Sequence, residues 1–106
     1  MANIKEEKIK AIIHEAAALF FERESDRTSM ITVTRTELAD RGKKAIIYIS
    51  VFPTEKEADA LVFVKRKRTE LHHFLINETK LPIVPFVDVI IDIGEKNRQK
   101  IESLKI

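Results

Sequence analysis

The 106-residue chain contains no cysteine. That excludes disulfides, thiolate metal sites and a cysteine nucleophile, and it suits a reducing compartment. Glycine occurs only at positions 42 and 94, so neither a phosphate loop nor a glycine-rich dinucleotide turn can be built. No serine stands in a Gly-x-Ser-x-Gly context. The single tyrosine and six phenylalanines fall mainly at core-like positions, so no exposed aromatic platform for stacked bases is expected. No apolar run approaches the roughly 20 residues that span a bilayer. The longest, residues 45–52, is strand length. The first residues are charged and lack the apolar core of a leader peptide. The expectation is a cytoplasmic protein without a membrane segment. The net charge is only +2, so any affinity for a polyanion must come from where the cations sit.

What is present reads as helix, strand, strand, long helix, strand and a short tail. Residues 4–23 place Ile9, Ile12, Ile13, Ala16 and Phe20 at helical spacing, and the polar stretch 24–29 stops the helix. Residues 30–38 alternate and are rich in β-branched side chains. Residues 45–52 form a second strand, and the Asp40-Arg41-Gly42 segment between them makes a hairpin. The second strand is apolar on both faces, with Ala45, Ile47, Ile49 and Val51 on one and Ile46, Tyr48 and Phe52 on the other. A strand of that kind is expected to be central and covered.

Thr54 and Glu57 have capping-box spacing and open a helical stretch that continues to about Asn77. Unbroken, it would be about 36 Å long at roughly 1.5 Å per residue, so a break is expected between Lys67 and Leu71. Thr69, which can bond back to the preceding turn, is its expected cause. Residues 85–92 form the third strand, and residues 95–106 are a tail of weak helical character. The crossover from strand two to strand three places those strands parallel and puts strand two in the middle.

The most unusual local feature is the run Lys65-Arg66-Lys67-Arg68. Successive helical residues turn by about 100°, so four cations form a collar, which suits an anionic polymer better than a small ligand. Charges on a helix are most often just solvated, but a surface helix usually mixes signs, and here only Glu70 offsets the run. Arg41, Lys43 and Lys44 crowd the hairpin tip, where a soluble turn and a phosphate grip fit equally well. Adjacent His72 and His73 diverge on a helix and do not chelate together, so no metal site is expected. Asp88 and Asp92 share a strand face. A carboxylate pair can support acid–base chemistry, but polar residues on a wet sheet face, or partners for arginine, account for them more simply. No enzyme is expected.

The element order is that of a type II KH domain, and the chain resembles the ribosome-binding factor A family, maturation factors of the small ribosomal subunit. The resemblance is carried by Ile31-Thr-Val-Thr-Arg-Thr-Glu-Leu38 followed by Lys44-Ala-Ile-Ile-Tyr-Ile-Ser-Val51. Further support comes from Ile83-Val84-Pro85 leading into Val87-Asp88-Val89 and Asp92, and from the spacing of Ile101 and Leu104. It departs at the kink between the central helices, where the family has Ala-x-Gly and this chain has Lys67-Arg68-Thr69. The resemblance implies an α+β fold, KH type II-like, with a three-stranded mixed sheet and helices packed on one face. It implies a single domain over residues 1–106 that binds the immature small subunit and its rRNA as a monomer, without a cofactor. The residues expected at the RNA are Lys65, Arg66, Lys67, Arg68, Thr69, His72, Arg41, Lys43 and Lys44. The competing reading is a KH-like protein-interaction module with no RNA role.

Overall fold

In the computed structural model, residues 4–95 are described. The tail reading past Glu95, including Ile101 and Leu104, lies outside the described residues. The elements are α1 (Ile4–Glu24), β1 (Met30–Ala39), β2 (Lys44–Phe52), α2 (Glu57–Arg66), α3 (Arg68–Glu78) and β3 (Phe86–Ile91). The sheet runs β1-β2-β3, with β2 antiparallel to β1 and parallel to β3. This is the expected order, with the expected strand in the middle.

The helices cover one face only. Ala45, Ile47 and Ile49 are fully buried on that face, together with Ile13 and Ala17 of α1, Val64 of α2, and Leu71 and Leu75 of α3. The α1 stripe is rotated from the one read in the sequence. Ile12 is exposed, and Ala17 and Phe21 take its place in the core. Among the described residues, no helix covers the second apolar face of β2. Ile46 and Tyr48 are half-buried and Phe52 is exposed. A central strand flanked on both edges loses water at its backbone whether or not its second face is packed, so two apolar faces did not require two covering layers.

β1 contains an irregularity that simple alternation misses. Val33 pairs with Ile49 but Arg35 pairs with Tyr48, so Thr34 is the extra residue of a bulge. Inward residues are odd before it (Ile31, Val33) and even after it (Thr36, Leu38). The shift turns Arg35 and Glu37 onto the open face. It also leaves the Thr36 hydroxyl buried with no hydrogen-bond partner among the described residues. Replacing a buried, unpaired hydroxyl by an isosteric methyl removes a desolvation cost. Thr36→Val is expected to stabilise the fold by about 1 kcal/mol, read as a higher midpoint in thermal or urea unfolding.

The hairpin tip is tight. Asp40 (φ 51°), Arg41 (φ 57°) and Gly42 (φ 85°) all occupy left-handed backbone, and the Lys43 N–H closes the turn on the Asp40 carbonyl at 3.1 Å. The helical stretch after β2 starts later than the capping-box spacing implied. A 3-10 turn at Thr54–Lys56 leads into α2, and no side chain caps either start.

The expected break is present, and Lys67 makes it. Lys67 leaves helical geometry (φ −89°, ψ 3°), and its N–H is shared between the Phe63 and Val64 carbonyls, each at 3.2 Å. The Lys67 carbonyl then accepts the Leu71 N–H at 2.8 Å to start α3. Arg68 donates from Nε to the Lys65 carbonyl at 3.1 Å, satisfying an acceptor at the end of α2. Thr69 is exposed and is not the residue that turns the chain. Val64 and Leu71, on either side of the break, are both fully buried, so α2 and α3 each keep a side chain in the core across it.

Candidate nucleic-acid interface

The basic run divides once its neighbours are in place. Lys67 points back across the helix layer. Its ammonium lies 3.2 Å from Glu70 and 3.5 Å from Glu24 at the end of α1, with the Phe63 ring 5.8 Å away. The hydrogen bond to Glu70 raises the Lys67 pKa above its usual value. Burial acts against it, and the charges of Glu70 and Glu24 add to the rise. Lys67 is therefore a cation whose charge is met within the molecule. Arg68 turns the other way and pairs with Asp88 of β3 at 3.2 Å. Lys65 and Arg66 are exposed and have no ion-pair partner among the described residues.

α3 and β3 run beside each other, and successive side chains bridge them. Arg68 reaches Asp88. One turn later, His72 contacts the Val84 carbonyl through Nε2 at 3.3 Å and stacks on the Phe86 ring, with centroids 5.1 Å apart and planes 15° from parallel. Phe86 is the β-sheet partner of Lys44, and its N–H donates to the Lys43 carbonyl at 3.0 Å. The hairpin tip therefore adjoins the start of β3, and Asp88, two residues further along, receives Arg68. Two groups that are 20 or more positions apart in sequence, Arg68 with His72 and Lys43 with Lys44, meet along one strand. Lys43 is exposed and Lys44 half-buried; Arg41 is exposed at the tip.

Phe86 is the residue that the sequence reading missed. It is 74% exposed, against the expectation that the phenylalanines lie mainly in core-like positions. The available signal was its place directly after Pro85, at the first position of an edge strand, where side chains have least cover. Phe52 is also exposed, at 71%, but it lies opposite Met30 at the far end of the hairpin.

His73 is exposed and diverges from His72, their ring centroids 6.4 Å apart. Among the described residues no group of three or more His, Asp or Glu could hold a metal ion. Asp88 and Asp92 do not form a pair. Four strand positions separate them by about 13 Å, and each is engaged elsewhere. Asp92 is buried. It accepts from the Thr34 hydroxyl at 2.6 Å and from the Glu95 N–H at 3.0 Å, and it lies 3.7 Å from Arg35.

The open sheet face carries a second polar cluster. The Arg35 guanidinium lies 3.9 Å from the centre of the Tyr48 ring and pairs with Glu37 at 2.8 Å, while the Tyr48 hydroxyl donates to Glu37 at 3.0 Å. Burial, followed by the bond to Glu37 and its charge, raises the Tyr48 pKa above 10.0. A raised folded-state pKa means that this contribution is intact below pH ~10 and is lost as pH rises through the folded value. Ultraviolet titration of the sole tyrosine is expected to give a midpoint above that of a free tyrosine. Glu37→Gln should lower the midpoint, and an unchanged value would remove Glu37 from the cause.

Among the described residues no helix is long and apolar enough to cross a membrane. An α-β-β-α-α-β chain with this mixed sheet and one-sided helix layer has the KH type II-like fold expected above. More specifically, its fold is that of ribosome-binding factor A. The crystal structure of that factor from Thermus thermophilus matches with a TM-score of 0.71 at 20% identity, covering 81% of this chain and 93% of its own. A Thermus thermophilus ribosome-binding factor A homology model, fitted into a cryo-EM map of its 30S complex, matches at 0.66 and 21%, covering 76% and 88%. A candidate ribosome-binding factor A from Thermotoga maritima, solved by NMR, matches at 0.59 and 19%, covering 82% of each chain. No protein-family model and no curated protein sequence matches the chain.

Proposed function

We propose that this protein belongs with the ribosome-binding factor A proteins and binds the immature small ribosomal subunit through its rRNA, assisting maturation without turnover chemistry. One observation carries the reading. On a fold shared with a factor placed in a 30S complex, the exposed cations Lys65 and Arg66 lack ion-pair partners among the described residues. Arg41, Lys43 and Lys44 add a second cationic group at the hairpin tip, beside β3. In a chain whose net charge is only +2, these cations place positive charge near the helix break and the adjoining strand edge. Arg68 and His72 line the same edge, while Thr69 is exposed beside them. Lys67 contributes by fixing the break rather than by touching RNA. The protein acts as a monomer in the cytoplasm and requires no cofactor.

Co-sedimentation with immature small subunits over a salt titration tests this. Binding that weakens steeply and log-linearly with salt is the expected result, because neutralised phosphates release counterions. Salt-independent binding would instead favour an interaction with ribosomal proteins, and no binding at all would end the reading.

A further inference from the structure

We infer that the outer face of Phe86 is a stacking platform for a single unpaired RNA base, an inference that rests on the RNA reading above. Phe86 is 74% exposed, so most of its ring faces solvent. The ring is nonetheless held in place. His72 stacks against one face at 5.1 Å and 15°, and His72 is itself fixed by contact with the Val84 carbonyl. The strand places Phe86 in register with Lys44 and hydrogen-bonds its N–H to Lys43. A rigid aromatic ring that is covered on one side and open on the other offers a flat apolar surface at little further cost in order.

The surroundings favour a nucleotide over an apolar protein side chain. Lys43 and Lys44 have no ion-pair partner among the described residues, and Asp88, the nearest carboxylate along the strand, is occupied by Arg68. A base on the Phe86 ring would therefore have lysines at hand for its flanking phosphates. Stacking is tolerant of sequence because every base has a π-face, so the platform needs an unpaired nucleotide and not a particular one. Phe52 is an internal comparison. It is similarly exposed, but it sits opposite Met30, with no cation among its sheet partners, and is not assigned this role.

The chain has no tryptophan, so Phe86→Trp supplies a single fluorescent reporter that keeps a stacking ring. The probes are oligoadenylate, the same strand paired with oligouridylate, protein-free small-subunit rRNA, and intact subunits. Oligoadenylate and rRNA are expected to quench the Phe86→Trp emission saturably, and the duplex should not. Phe86→Leu keeps apolar bulk but loses the π-face. It should bind oligoadenylate about tenfold more weakly than the parent chain, while its circular dichroism is unchanged. Emission indifferent to single strands, or Phe86→Leu binding them like the parent, would overturn the platform. Quenching by intact subunits but not by protein-free rRNA would also overturn it, since a ribosomal protein would then cover the ring. The two readings separate cleanly. If Phe86→Leu co-sediments with subunits like the parent and the reporter stays unquenched, subunit binding stands and the platform falls. If the parent does not co-sediment but oligoadenylate still quenches the reporter, the subunit reading falls and the platform stands.

Discussion

Replacing Lys65 and Arg66 together by glutamine is expected to weaken small-subunit binding on the order of tenfold to fiftyfold at physiological salt. It should also lower the slope of log affinity against log salt by about 1.4–1.8. Both effects follow from counterion release, in which each lost phosphate contact removes somewhat under one unit of slope. The pair is chosen because both side chains are exposed, so the fold should change by less than about 0.5 kcal/mol. Arg68→Gln provides a contrast. Arg68 is already paired with Asp88 and bonded to the Lys65 carbonyl, so its loss should leave most of the slope intact and loosen the end of α2. The measurement is a salt series of co-sedimentation or fluorescence anisotropy on each variant. If Lys65→Gln/Arg66→Gln binds with parental affinity and slope, the cations are solvated surface and the protein-interaction reading replaces the RNA one.

Leu71→Ala should have the largest effect on stability. Leu71 is fully buried in the first turn of α3, where it holds the new helix direction against the sheet just after the break at Lys67. Truncating a buried leucine loses its transfer free energy and leaves a cavity, at a cost of about 2–5 kcal/mol. For a domain of this size that corresponds to a melting midpoint lower by roughly 10–20 °C. Thermal unfolding followed by circular dichroism tests it, with exposed Val62→Ala on α2 as the matched control. A fall of only a degree or two would mean that α3 is held mainly by its side-chain bridges to β3 and not by its packing. The same variant also probes the site, because α3 carries Arg68 and His72 to the strand edge. Among molecules still folded at low temperature, rRNA affinity should be largely retained, since no cation has been removed.

The sequence sufficed for those features that depend on near neighbours. Apolar spacing over 4–23, β-branched runs at 30–38 and 45–52, and the overlong helical stretch after Pro53 each reflect a periodicity of one element. The length of the crossover then left one sensible strand order. The break near Lys67 was legible in the length of that stretch, although its cause was not Thr69. Alternation failed where the backbone broke its own period. The bulge at Thr34 reverses which side chains of β1 face inward, and nothing in residues 30–38 announces it.

The site was decided by partners far away in sequence. Lys67 and Arg68 look like Lys65 and Arg66 in the run, but Glu24 lies 43 positions from Lys67 and Asp88 lies 20 from Arg68. Charge pairing acts over a few ångströms, and the chain brings those carboxylates within that range only when α1 and β3 dock on the two helices. The same docking leaves Phe86 open on one face and seated on His72 on the other. Composition and periodicity could place a basic collar and an aromatic residue. Which cations remain available, and which ring faces water, depended on how the layers closed, because solvent exposure is a property of the packed molecule and not of the chain.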